Sequence, residues 1–287
     1  MANELIVDKH GRVTVLTLNR PERRNALNTV LVSALEEAVA DFSQDNAQRV
    51  MIITGAEDKA FCSGVDLIEM QGLADEGQRL PMAIEQDILG VAKCEKPVIA
   101  AINGLAVGAG LELAICSDIR LATEDAWFGL PEVERGFLAG IAAVTLPRLM
   151  PIGAVMELML LGDRLGAHDA FRLGLVQQVL PASDLMEAAM ERAERMCRHS
   201  QAALWGTKQV IRYWRDRALD EHHRYYEHVA HRVFSSGDFA EGLRAFVEKR
   251  PAEYVMDWSP NPAKETKAQT GGRRLRSRSQ TSGGQAR

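Results

Sequence analysis

The segments Ala60-Phe61-Cys62-Ser63-Gly64-Val65-Asp66-Leu67 and Asn103-Gly104-Leu105-Ala106-Val107-Gly108-Ala109-Gly110-Leu111-Glu112 have one character: apolar, strand-like residues turn through glycine into a helix start. A helix N-terminus leaves backbone N–H groups unpaired and carries partial positive charge. Small side chains let a ligand reach those donors. Two such termini converging on one point form an oxyanion hole, suited to charge that develops on a carbonyl oxygen. Two glycine-started helices with no shared purpose would give the same spacing, so a further group has to decide. Glu112 is that group. Its carboxylate stands in the first turn of an otherwise apolar helix (Leu111, Leu113, Ala114, Ile115), where burial is costly. Compensation of the helix dipole is the plain reason for it, and acid–base catalysis is the functional one. Glu132, after Gly129-Leu130-Pro131, is a second candidate acid or else a solvated loop residue.

Other chemistries lack their residues. There is no G-x-S-x-G elbow, no phosphate-binding Walker loop and no H-E-x-x-H. Gly104, Gly108 and Gly110 have the wrong spacing for a dinucleotide fingerprint, and no acid follows at the ribose position. His223, Glu227 and His231 share one helix face and read as surface or subunit-contact residues rather than metal ligands. Cys62, Cys94, Cys116 and Cys197 form no C-x-x-C pair, which points to reduced thiols in a cytoplasmic protein.

The elements that must position these residues recur along the chain. Leu5–Val7 and Val13–Leu18 read as a hairpin, and Asn28 or Thr29 caps a helix running to about Gln44. Val50–Thr54 is a buried strand. A short helix is expected from Val65 to about Met70, then a loop over residues 71–80, then a helix over Pro81–Cys94. Pro97–Ile102 and Ile119–Ala122 are further strands, with Trp127-Phe128-Gly129 after them and Trp127 read as a core residue. Strand, turn and helix at regular intervals argue an α/β fold. From about Leu185 to Val247 only helical periodicity remains.

The chain carries 34 basic and 39 acidic residues, a net charge of −5 at pH 7. From Ser259 onward, seven basic residues stand against Glu265 alone, so that stretch is +6 and residues 1–258 carry about −11. An acidic body lacks the footprint of a nucleic-acid or anionic-membrane binder. The tail, poor in apolar residues, reads as disordered and as dispensable. Asn103, four Gly or Pro residues and Glu112 interrupt the apolar run Pro97–Ala114, so it is no membrane span. The N-terminus has no apolar core of a secretory signal.

Six motifs in one order carry a resemblance. They are Arg20-Pro21-x-x-x-Asn25-Ala26-Leu27, Ala60 to Asp66, Lys96 to Gly104, Gly108 to Ala114, Cys116-Ser117-Asp118 and Phe128-Gly129-Leu130-Pro131-Glu132. Over about residues 5–255 the chain resembles the crotonase superfamily, the enoyl-CoA hydratase/isomerase family. The resemblance implies a crotonase-like spiral of ββα units over residues 1–195, a helical trimerisation region over 196–258 and the basic tail over 259–287. It implies a homotrimer or dimer of trimers, acyl-CoA thioester substrates, and no cofactor beyond the coenzyme A of the substrate. By its motifs the oxyanion-hole N–H groups fall on Val65 and Ala109 and the catalytic acids on Glu112 and Glu132. Ala60, Cys62, Gly64, Asp66, Leu67, Ile68, Gly108 and Gly140 fall at substrate-binding positions.

Possession of both acids implies an enoyl-CoA hydratase that adds water reversibly to a trans-2-enoyl-CoA. A double-bond isomerase, or a dehydratase of a specialised acyl-CoA such as a carnitinyl-CoA, is the alternative. A relative that binds RNA through the +6 tail is a third reading, opposed by the acidic body. The chain departs from the family in Gly136-Phe137-Leu138-Ala139-Gly140, where a glycine-rich stretch is usual. The wall near the reacting carbons is expected to be bulkier for it.

Overall fold

The computed structural model describes residues 3–76, 89–216, 229, 231, 233–234 and 237–254. Residues Met1–Tyr254 cluster as one compact unit. The chain opens with the hairpin β1 (Leu5–His10) and β2 (Val13–Leu18), paired antiparallel with Leu5 opposite Leu18. Helix α1 (Thr29–Gln44) follows, and the Asn28 side chain accepts from the Leu31 N–H at 2.8 Å to cap it. Its Leu31, Leu35, Val39 and Phe42 recur at helical spacing and are buried.

A pattern of two strands and one helix then repeats. Strands β3 (Val50–Gly55) and β4 (Ala60–Cys62) lead into α2 (Leu67–Asp75). Strands β5 (Val98–Ile102) and β6 (Leu105–Val107) lead into α3 (Ala109–Cys116). Strands β7 (Ile119–Thr123) and β8 (Trp127–Gly129) lead into the 3-10 turn Pro131–Arg135. Each repeat places its first strand in a six-stranded sheet and its second in a smaller, four-stranded one. Successive repeats lie parallel within both sheets, which makes the chain a spiral of ββα turns.

After the third turn come α4 (Gly140–Thr145), α5 (Ile152–Leu161), β9 (Leu165–Gly166), α6 (Ala167–Arg172) and β10 (Gln178–Leu180). Strand β9 closes the small sheet against β8, and β10 closes the large one against β7. The helices α7 (Leu185–Cys197), α8 (Gln201–Asp216) and α9 (Asp238–Glu248) end the described chain.

The central parallel strands β3, β5 and β7 of the large sheet are buried on both faces, as parallel strands under crossover helices must be, whereas the edge strand β1 is exposed beyond Leu5. Met51 and Ile53 of β3 join the main core with Phe61, Leu111 and Phe128, whereas Val50 and Ile52 face the other way. On that side α7 lays down Leu185, Ala189 and Ala193, one apolar residue per turn, which closes a second core.

Two expectations are corrected. Helix α2 does not stop at Met70 but runs to Asp75, because Gly72 lies on an exposed face where it meets nothing and Leu73 continues the helix. The helix expected over Pro81–Cys94 is not continued over Leu89–Lys93, which are turns: Leu89 and Gly90 both adopt positive φ and break it. Residues 77–88 lie outside the described residues, as do His223, Glu227 and the basic tail.

Candidate active site

Val65 follows Gly64 between β4 and α2. The Leu27 N–H donates to Gly64 O at 2.8 Å and Leu27 O accepts from the Asp66 N–H at 2.9 Å. In such a parallel bridge the middle residue turns its own N–H the opposite way. The Val65 N–H has no hydrogen-bond partner among the described residues. Ala109 is the first residue of α3, so its N–H is one of the helix's orphan donors and is likewise unpartnered.

Three glycines bring the two donors together. A Cβ on Gly64 would stand 2.9 Å from Val107 O and 3.5 Å from the Ala109 nitrogen. Gly64 also has φ +94°, which side-chain-bearing residues rarely adopt. A Cβ on Gly110 would stand 2.2 Å from Cys62 O, so β4 and α3 meet at a distance only glycine permits. Gly108 turns at φ 55° directly before Ala109, and a Cβ there would stand 3.0 Å from Glu132 Oε1.

Buried polar residues hold the frame. Asn25 is fully buried; its Oδ1 accepts from the Arg20 N–H, and its Nδ2 donates to Ala56 O and Ala60 O. Asn103 ties Gly55 and Ala60 in the same way from the second repeat. Asp66 has two tasks: its Oδ1 accepts from the Ile68 N–H to start α2, and its Oδ2 pairs with Arg20 Nη2 at 3.1 Å. The motif residues Arg20, Asn25 and Asp66 thus fix the loop that carries Val65.

The two acids come from successive turns of the spiral. Helix α3 is buried along its whole length, and Glu112 is 1% exposed. Burial pushes its carboxyl up to about 7, against N–H donation from Ala142, at 2.9 Å to Oε1, and from Ile141. Gly140, just before those donors, opens α4. Glu132 sits in the 3-10 turn rather than in a solvated loop. Burial first, and then the charge of Glu112, push its carboxyl up to about 8. Each acid keeps one buried oxygen, Oε2, without a hydrogen-bond partner among the described residues. Two coupled carboxyls of this kind share protons near neutrality, as a general acid and a general base must.

A cavity of about 410 Å³ opens onto this arrangement. Gly64, Val65, Asp66, Leu67, Ile68, Gly108, Ala109 and Glu132 line it. Glu112 does not line it but is buried where its charge acts on Glu132. Ala60, Cys62 and Gly140 do not line it: Ala60 and Cys62 are packed in the core, where burial pushes the Cys62 thiol up to about 12. Phe137 and Leu138 thicken the wall in place of glycines. Trp127 is not a core residue. It lines the cavity, with the Arg164 guanidinium 4.2 Å over its ring. Arg23, Arg24, Arg135, Arg164, Phe234 and Phe246 also line the cavity, and none was legible as a site residue. Arg164 comes from a segment 37 residues after Trp127 and carries no local pattern. Among the described residues no cluster of His, Cys, Asp and Glu could hold a metal ion.

Residues 8–256 match the family model described as enoyl-CoA hydratase/isomerase. A probable mitochondrial enoyl-CoA hydratase of Dictyostelium discoideum is 39% identical over 248 residues, 85% of this chain and 87% of that protein. The short-chain-enoyl-CoA hydratase of Clostridium acetobutylicum is 34% identical over 253 residues, 88% of this chain and 97% of that one. Among solved structures, a carnitinyl-CoA hydratase from Mycobacterium avium superposes with a TM-score of 0.79 at 33% identity, covering 88% of this chain and 99% of that one.

Proposed function

The chain belongs to the enoyl-CoA hydratase/isomerase family, and on that footing we propose that it is a hydratase, adding water reversibly to trans-2-enoyl-CoA thioesters. One observation carries the choice within the family: two carboxyls of raised proton affinity, each with an unpartnered buried oxygen, stand together beside two free N–H donors. A water held between Glu112 and Glu132 gives a proton to one carboxylate as its oxygen bonds to C3. The electrons of the double bond move onto the thioester oxygen, where the N–H groups of Val65 and Ala109 hold the developing negative charge. The other carboxyl then delivers its proton to C2, and the thioester carbonyl re-forms. Water has been added with no change of oxidation state overall, so the reaction requires no redox cofactor; the coenzyme A belongs to the substrate.

Crotonyl-CoA is the direct test. Mass spectrometry should find 3-hydroxybutyryl-CoA, heavier than the substrate by one water. An unbranched longer enoyl-CoA returned at unchanged mass, with its double bond moved, would make the protein an isomerase instead.

The protein acts as a trimer or a dimer of trimers on this reading. Helix α8 exposes Trp205, Val210, Ile211 and Tyr213, and α5 exposes Ile152, Met156 and Leu160, more large apolar surface than a solvated helix carries. Light scattering at the monomer mass of 31.6 kDa at micromolar concentration would contradict it. A cytoplasmic location fits cysteines that are all unpaired. Among the described residues no helix is long and apolar enough to cross a membrane.

A further inference from the structure

Four arginines line the cavity, Arg23, Arg24, Arg135 and Arg164, against two acids, Asp66 and Glu132. Asp66 is committed to Arg20 and to the start of α2, and Glu132 has a raised proton affinity. The cavity therefore carries surplus positive charge in two places. Arg23 and Arg24 precede the Leu27–Val65 contact, whereas Arg135 ends the 3-10 turn that carries Glu132 and Arg164 immediately precedes β9, the strand paired with the Trp127 strand. Of this second pair, Arg135 is engaged: its Nη1 donates to Pro131 O at 3.0 Å and its guanidinium stands 5.3 Å over Phe246. Arg164 meets only the Trp127 ring and has no hydrogen-bonded or ionic partner among the described residues.

The fold builds this contact. Strand β8 turns the Phe128 side chain into the core, so Trp127 and Gly129 share the opposite face. The Trp127 ring lies back over Gly129, where a Cβ would stand 3.3 Å from Cζ3. Pairing of Phe128 with Leu165 brings Arg164 beside Gly129 on the neighbouring strand, within reach of that ring. Gly129 O accepts from the Gly108 N–H at 3.0 Å, which ties the same strand to the oxyanion turn. A guanidinium held 4.2 Å over an indole is restrained in place, yet its N–H donors have no hydrogen-bond partner among the described residues and stay available to a planar anion.

We propose that Arg164, held over Trp127, selects substrates whose acyl chain ends in a carboxylate, that is, thioesters of dicarboxylic acids. The proposal rests on the hydratase reading for where the thioester lies, with its carbonyl between Val65 and Ala109 and its acyl chain running past Glu132. A carboxylate accepts two N–H bonds side by side from one guanidinium, a match that a neutral chain end cannot make.

Saturated thioesters test this apart from turnover, because they bind without reacting. Titration calorimetry would compare glutaryl-, adipyl- and suberyl-CoA with pentanoyl-, hexanoyl- and octanoyl-CoA. For at least one matched pair the diacid should bind about tenfold or more tightly, within the range of a charge-assisted hydrogen bond. Arg164→Gln should erase that preference while leaving the neutral thioesters unchanged, and Arg164→Lys should restore part of it. Equal binding within every pair of the wild-type protein would overturn the proposal. So would an Arg164→Gln variant that loses affinity equally for diacid and neutral chains, since the guanidinium would then be reading coenzyme A. Failure of hydration with these preferences intact would count against the hydratase reading instead.

Discussion

Adding one methyl group to the chain at Gly110 should disable the site. The new Cβ would stand 2.2 Å from Cys62 O and 2.8 Å from Cys62 Cβ, where ordinary contact begins at 3.4 Å. Strand β4 and helix α3 would have to part by about 1.2 Å, since neither a strand carbonyl nor a fully buried helix can swing aside. Val65 follows β4 and Ala109 begins α3, so the two N–H donors move apart by a similar amount. A misplacement of about 1 Å can cost roughly 10²-fold in rate, and loss of one oxyanion donor about 10²–10³-fold. The overpacked core should lose about 1–3 kcal/mol of stability as well. The assay is kcat/KM on crotonyl-CoA for Gly110→Ala, with thermal unfolding measured in parallel. Gly206→Ala is the control: its Cβ meets nothing within 4 Å in α8, so it should leave the rate unchanged and add about 0.4–1 kcal/mol. A Gly110→Ala protein with wild-type kinetics and an unchanged midpoint would show that close approach of β4 and α3 does not set the site.

The buried acids tie stability to pH. Their carboxyls stand near 7 and 8 in the folded protein against 4.5 in an exposed chain, so the folded state keeps protons that the unfolded chain has released. Stability should fall as pH climbs from about 4.5 to about 8 and level off above that. Glu112→Gln should unfold at a higher temperature than wild type above about pH 7, with the difference shrinking toward about pH 4.5; a difference constant across that range would refute the linkage. Asn25→Ala should lower stability by about 2–4 kcal/mol in urea unfolding, because the Arg20 N–H and Ala56 O lose their partner at a fully buried side chain while Ala60 O keeps only Asn103. A loss under about 0.5 kcal/mol would mean water replaces the amide without cost.

The two glycine turns that carry Val65 and Ala109 were legible because glycine spacing and helix starts are local. Gly64, Gly108 and Gly110 announce close approach, and Glu112 is conspicuous inside an apolar helix. The order of strands across two sheets entered through the resemblance, since which repeat lies on which depends on long-range pairing that no local pattern records. Trp127 was misread for that reason. Its strand is three residues long, too short for alternation to separate core from cavity, and its partner Arg164, just before β9, is brought to it by a distant pairing. Helix α2 ran past its expected end because Gly72 stands on an exposed face, where glycine weakens a helix without stopping it. Glu132 could be named as an acid but not as half-buried with a shielded Oε2, because that comes from the packing of the 3-10 turn against the elements around it.

The central claim is that Glu112 and Glu132 together move the protons of an added water. It is tested most directly by hydrating crotonyl-CoA in isotope-labelled water with the wild-type protein, Glu112→Gln, Glu132→Gln and the double variant. Binding of butyryl-CoA, which cannot react, is measured alongside. Wild type should place the label on C3 of 3-hydroxybutyryl-CoA. Each single variant should lose about 10²–10⁴-fold in rate with butyryl-CoA affinity nearly unchanged. The double variant should be scarcely slower than the poorer single one, because the two acids work on the same water. Single variants that hydrate at near-wild-type rates, or losses that multiply in the double variant, would contradict the account.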